Sequence, residues 1–175
     1  MEYVNIFPGR FEPFHCGHLN ACIDAQDINL YPTVIFYISN EKFDFEHPFT
    51  NELIEKELNI IKDSYGGLIR DIIWIRRPMP NLLCRLLHER GMVPKLWLAG
   101  SDRIESYKKL IQGDKIRNEF GFEPPVLLET KRYCSATDVR NALLANDWKN
   151  YWTRMPECTH DLYDEFREQI LKINK

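Results

Sequence analysis

Two histidines, His15 and His18, stand three residues apart in the stretch Gly9-Arg10-Phe11-Glu12-Pro13-Phe14-His15-Cys16-Gly17-His18. If a helix begins near Cys16, that spacing turns both imidazoles toward one point. Before the stretch, Tyr3 to Phe7 reads as a short strand; after it, Leu19 to Ala25 reads as the first turns of a helix. A Gly- and Pro-punctuated turn from a buried strand into a helix lies at the carboxyl end of a sheet, where open α/β folds bind ligands. The helix amides there point outward and favour an anion. Two histidines beside such amides suit a phosphate clamp. The plainer reading is a pair of polar residues closing a helix end. Agreement between Gly9, the strand and the helix favours the phosphate.

A second cluster lies far down the chain in Ser135-Ala136-Thr137-Asp138-Val139-Arg140. Ser135 and Asp138 alone make a capping box. The same helix start can also hold a phosphate chain through its amides and the Thr137 hydroxyl. Arg140, three residues beyond Thr137 on the same face, adds a bidentate, charge-assisted contact. Gly100-Ser101-Asp102-Arg103 follows a strand-like run, so it too belongs on the ligand side of a sheet. Its glycine permits close approach to a base or ribose, and Asp102 can accept from ribose hydroxyls. A polar turn is the alternative. Cys16, between the histidines, raises the question of a thiolate nucleophile.

The elements that must position these groups are legible from periodicity. Thr33 to Ser39 is a near-continuous β-branched and aromatic run, as expected of a strand buried on both faces. Asp71–Ile75, Lys95–Ala99 and Pro125–Glu129 read as further strands. Helical periodicity covers Asn51–Tyr65, stopping at Gly66-Gly67, and Asn81–Arg90, stopping at Gly91. From Met155 onward the chain reads as one amphipathic helix with Leu162, Phe166, Ile170 and Ile173 on a stripe. Alternating strands and helices predict a Rossmann-like α/β fold. The expected sheet is open, mainly parallel and about five-stranded, with helices on both faces and a C-terminal helical segment. For one triphosphate to touch both clusters, the fifth strand is expected to return beside the first.

At 175 residues, 44% hydrophobic, the chain is expected to form one domain, spanning 1–175. A net charge of −3 with no basic block argues against nucleic-acid binding. No apolar run is long enough for a membrane span, and the N-terminus leads into a strand rather than a signal peptide. Five cysteines without metal-ligand spacing read as reduced thiols in a cytoplasmic protein. Neither GxGxxG nor GxxxxGK[ST] occurs, so neither a hydride-transfer enzyme nor a P-loop kinase is supported.

The ten residues Gly9 to His18 resemble the GRFxPFHxGH signature of the archaeal-type nicotinamide mononucleotide adenylyltransferases, within the HxGH nucleotidyltransferase superfamily. Ser135 to Arg140 resembles the superfamily's S-x-T-x-x-R motif. His47-Pro48-Phe49-Thr50 is similar to the family's NPFT, with Lys42 near the family spacing; Leu53-Ile54 replaces the Glu-Arg pair that follows in the family. Asp147-Trp148 and Met155-Pro156 resemble its short passage between helices. The resemblance implies transfer of a nucleotide, AMP from ATP, onto a phosphate monoester with release of pyrophosphate. Nicotinamide mononucleotide is the best acceptor. It further implies that His15, His18 and Arg140 act on the phosphates. Gly9, Arg10, Phe11, Gly17, Lys42, Gly100, Asp102, Arg103, Ser135 and Thr137 would contact nucleotide. Mg²⁺ would ride on phosphate oxygens and water, with no protein metal site. Cys16 falls at the variable place of HxGH and reads as packing, because a substrate phosphate oxygen can attack the α-phosphate directly. Departures leave alternatives open. The family's nicotinamide pattern is not visible in Arg76-Arg77-Pro78-Met79-Pro80-Asn81, so Trp74, Arg76 and Arg77 can serve another phosphorylated acceptor. CTP in place of ATP, a nucleotide sensor without turnover, and a homo-oligomer are also left open.

Overall fold

The structure, a computed structural model, describes residues 1–173. Five parallel strands run β1 (Glu2–Gly9), β2 (Thr33–Ile38), β3 (Ile69–Ile75), β4 (Met92–Ala99) and β5 (Val126–Glu129). Their order across the sheet is β3-β2-β1-β4-β5. The helices are α1 (Cys16–Asn29), α2 (Asn51–Ser64), α3 (Pro80–His88), α4 (Ile104–Leu110), α5 (Lys115–Phe120), α6 (Ala136–Leu144), α7 (Trp148–Arg154) and α8 (Tyr163–Ile173), with a 3₁₀ helix at Glu157–Leu162. The sheet winds outward from β1 to β3 and then, after crossing back, from β4 to β5. Right-handed crossovers therefore place α1 on one face and α4–α5 on the other. This is the expected Rossmann-like α/β architecture. The strand beside β1, however, is β4; β5 lies beyond it at the edge. The expectation that the fifth strand pairs with the first is corrected.

The chain divides into two compact units. The first comprises residues 1–9, 21–38 and 67–131 and holds the whole sheet. All six residues of β2 are buried, as its unbroken apolar run requires. One side of the core gathers Val4, Ile6, Val34, Phe36, Leu83 and Leu87 with Trp97, which is fully buried. A polar residue interrupts β1: Asn5, also fully buried. It sits where the β1–β4 register shifts between Val4 and Ile6. Its Oδ1 accepts from the Leu96 N–H at 3.2 Å, and its amide exchanges hydrogen bonds with Asn29 at the end of α1. The side chain thus satisfies a backbone donor near the irregularity, as a buried amide must.

The second unit comprises residues 10–20, 39–66 and 132–175. Thr50 caps α2, its Oγ1 accepting from the Leu53 N–H at 3.2 Å, and its own N–H donates to Gln169 of α8 at 2.8 Å. Phe49 meets Phe166 edge-on, ring centroids 4.8 Å apart. Three helical features lay outside the sequence expectation. α4 and α5 are short, seven and six residues, too brief to show a period. α7 is a separate helix capped by Asp147. The terminal segment begins as a 3₁₀ turn after Pro156, where the Thr159 hydroxyl and N–H both bond the Pro156 carbonyl, and becomes α-helical at Tyr163. Among the described residues no helix is long and apolar enough to cross a membrane.

Candidate active site

The turn from Arg10 to Phe14 and the first turn of α1 form the centre of the second unit. Phe11 carries a positive φ of 55°, a strained value for a side chain of its size, and is buried against Phe14 and the edge of His18. α1 begins at Cys16, and the His15 and His18 rings stack at 3.7 Å with only 19° between their planes. Two backbone hydrogen bonds fix them. The Gly17 N–H donates to His15 Nδ1 at 3.0 Å, and the His15 N–H donates to His18 Nδ1 at 3.1 Å. With both Nδ1 atoms accepting, the proton of each neutral ring belongs on Nε2. Burial, reinforced by Arg140 and Arg132, pushes His15 down to about 4. Burial and then His15 itself hold His18 well below the usual range. The pair is therefore two neutral rings with N–H groups on Nε2, not two cations.

Gly17 has a steric reason for its identity. A Cβ there would lie 2.8 Å from His15 Cε1 and 3.3 Å from the Cys134 backbone nitrogen. The missing side chain is what lets the His15 ring lie over the start of α1.

Positive charge arrives from 128 residues away. Arg140, on the first turns of α6, is buried; its Nη1 donates to the Glu12 carbonyl at 2.8 Å and its Nη2 to Thr137 Oγ1 at 3.2 Å. Its Nε is buried without a hydrogen-bond partner. Ser135 Oγ caps the same helix by accepting from the Asp138 N–H at 3.2 Å, as its capping-box spacing predicts. Burial holds Arg140 below the usual guanidinium range, against the carboxyls of Glu12, Glu46 and Asp44, which favour its charge; on the segment 39–50 the Phe45 ring centroid lies 5.5 Å from its Cζ. Arg10 donates to the Ser39 carbonyl and to Asn40 Oδ1, joining the turn to that segment.

Thus His15, Gly17, His18, Phe11, Arg10, Ser135, Thr137 and Arg140 all belong to one unit. Lys42 is in it too, exposed on the segment 39–50. Gly9 is the last residue of β1; Gly100, Asp102 and Arg103 form the exposed turn between β4 and α4 in the other unit. Trp74, on β3, is 37% exposed and meets the Tyr37 ring edge-on. Cys16 lines a cavity of about 330 Å³ with Asn20, Cys134, Asp138 and Arg154. Burial pushes its thiol up to about 11, which leaves it protonated at neutral pH and unsuited to nucleophilic attack. No group of three or more His, Cys, Asp or Glu among the described residues can hold a metal ion.

Two buried carboxyls were not anticipated from the sequence. Glu57 on α2 accepts from the Phe14 N–H at 2.8 Å and so supports the turn from beneath. Glu12 accepts from the Asn40 amide and from the Phe49 N–H. A charged residue between two phenylalanines and a proline was the only sequence signal, and it named no partner.

This geometry is the setting in which the chain's likeness to known proteins can be read. No family model matches it. Among solved structures, the nicotinic acid mononucleotide adenylyltransferase of Plasmodium falciparum complexed with APC superposes over 97% of this chain and 98% of its own. The TM-score is 0.64 and the identity 15%. The bifunctional NMN adenylyltransferase/ADP ribose pyrophosphatase of Francisella tularensis, complexed with AMP and a Mn ion, matches 99% of this chain and 52% of its own at TM-score 0.65 and 16% identity. The fold is therefore that of the pyridine-nucleotide adenylyltransferases. A curated relative, the nicotinamide-nucleotide adenylyltransferase of Saccharolobus solfataricus, is 35% identical over 79 residues. The match spans 45% of this chain and 44% of that protein, and it agrees with the resemblance read from the GRFxPFHxGH stretch.

Proposed function

We propose that the protein transfers AMP from MgATP to nicotinamide mononucleotide, forming NAD⁺ and pyrophosphate. The observation that carries this reading is the stacked, neutral His15–His18 pair sharing one turn with the buried Arg140 guanidinium. Phosphoryl chemistry asks a protein mainly for positioning and charge stabilisation. In this reading His15 and His18 donate from Nε2 to phosphate oxygens, and His18 stabilises the charge that builds on the α-phosphate as the acceptor phosphate attacks. Arg140 neutralises the leaving pyrophosphate, together with Arg10 of the turn and Lys42 of the segment 39–50. The amides opening α6, with Thr137, hold the triphosphate. A divalent metal would ride on the triphosphate oxygens and water. The cytoplasm is the compartment that fits five free cysteines.

The test is pyrophosphate release measured with MgATP and a panel of phosphorylated acceptors. NAD⁺ and pyrophosphate in equal amounts with nicotinamide mononucleotide are expected. Pyrophosphate with another acceptor or with CTP, but not this pair, keeps the reaction class and replaces the substrate. ATP binding without pyrophosphate for any acceptor makes the protein a sensor. Arg140→Ala is expected to raise the triphosphate KM and lower kcat, with only partial rescue by Arg140→Lys, which lacks the planar fork.

A further inference from the structure

Glu12, in the turn before α1, touches two other segments of its unit at once. Its backbone carbonyl receives Arg140 Nη1 from α6 at 2.8 Å. Its carboxyl receives the Asn40 side-chain amide on Oε1 and the Phe49 N–H on Oε2 at 3.4 Å. Asn40 and Phe49 are the two ends of the segment that carries Lys42 and Phe45. They are also tied directly, since the Asn40 amide donates to the Phe49 carbonyl at 3.3 Å. Asn51 closes the base further: its Oδ1 accepts from the Asn40 N–H at 2.9 Å, and its amide donates to the Asn40 carbonyl at 3.3 Å.

We propose that Glu12 is a positioning residue whose carboxyl clasps both ends of the segment 40–49, and thereby sets where Phe45 and Lys42 stand relative to Arg140. This rests on the nucleotidyltransferase reading for its catalytic consequence, although not for the clasp itself. The hydrogen-bond inventory makes the carboxylate specific. Both groups facing it are donors, so two accepting oxygens are required, and an ionised carboxylate offers both without a competing proton. A glutamine presents one donor to a donor. Turning the Asn40 amide over does not rescue it, because Asn40 Oδ1 is the acceptor for Arg10 Nη1 and its Nδ2 serves Phe49.

Charge around the carboxyl is mixed. Arg10 faces it from the turn and Arg140 from α6; Glu57 faces it from α2, while Asp44 and Glu46 act on Arg140 from the segment itself. Burial outweighs the two guanidinium groups and raises the carboxyl to about 8. The fully accepting form therefore fills in as pH rises through that value, and the clasp tightens with it.

The experiment follows pyrophosphate release from pH 6 to 9.5, together with amide hydrogen exchange at residues 41–49, in the wild type, Glu12→Gln, Asn40→Ala and the double variant. In the wild type the triphosphate kcat/KM is expected to climb through pH 8. In Glu12→Gln that limb disappears, and kcat/KM at pH 9 falls on the order of ten- to a hundredfold, the scale of a lost hydrogen bond to a charged group. Exchange at 41–49 accelerates in both single variants, and in the double by less than the two effects combined, as for residues that share one of their contacts. Should Glu12→Gln not fold, Asn40→Ala cuts the same clasp from the side of the segment 40–49. A Glu12→Gln enzyme that keeps the pH 8 limb and wild-type exchange overturns the proposal. A wild type that releases no pyrophosphate with any acceptor overturns the nucleotidyltransferase reading instead, and the exchange arm still decides the clasp.

Discussion

His18 donates through Nε2 because its Nδ1 is already taken by the His15 N–H. That single backbone contact sets the tautomer, the ring orientation and the stack on His15. On the proposed reaction its energetic consequence belongs to the transition state, where an N–H aimed at a developing oxyanion contributes most. His18→Ala is therefore expected to fold and to lose turnover by a factor on the order of 10²–10³. Near-normal kcat in the folded variant would remove His18 from the catalytic set. Cys16 shows the opposite case. Its place between the histidines suggests reactivity, but burial keeps its proton on.

At the scale of the element, α1 is a helix whose second residue is chosen for a neighbour rather than for the helix. Alanine is the better helix former by about 1 kcal/mol. At Gly17, though, a methyl group would stand 2.8 Å from a buried ring that is already stacked on His18. The ring cannot yield without giving up the Gly17 N–H bond and the stack. Gly17→Ala is expected to lower kcat at least about tenfold with no gain in melting temperature, since overpacking of this kind costs about 1–3 kcal/mol. A rise in melting temperature with unchanged kcat would show that the ring has room. α6 obeys its own sequence more simply: Ser135 caps it, and Thr137 and Arg140 share the face that the i, i+3 spacing assigns.

At the scale of the whole molecule, the site's buried titratable groups pull stability in opposite directions with pH. His15 falls from 6.5 unfolded to about 4 folded, so its stabilisation is complete above pH 6.5 and is lost as pH drops to 4. That change amounts to about 3 kcal/mol. Glu12 runs the other way: raised from 4.5 to about 8, it favours the fold most below pH 4.5 and progressively less up to pH 8. His18 adds to the first trend and Glu57 to the second. Denaturant unfolding across pH 4 to 8.5 should thus show a broad maximum in the mildly acidic range. The stability advantage of the wild type over His15→Gln should shrink as pH falls from 6.5 to 4. An advantage that stays constant over that interval would mean His15 titrates normally in the folded protein.

The sequence by itself determined the parts whose cause is local. β2 is an unbroken apolar run and becomes a strand buried on both faces. The i, i+3 histidines at a helix start become a stacked pair, and Ser135 becomes a cap because the residues that satisfy these rules are three apart. The motif resemblance belongs with these, being contiguous. Tertiary structure alone decided what depends on residues distant in the chain. Strand order is one case: β4, not β5, lies beside β1, because pairing partners are selected by packing and register over some ninety residues, which no periodicity encodes. Glu12 is the other. Its type was plain in the sequence, but its donors come from Asn40 and Phe49, and the guanidinium on its carbonyl from Arg140. A buried carboxyl has no pattern of its own; its meaning lies in which donors the fold brings to it.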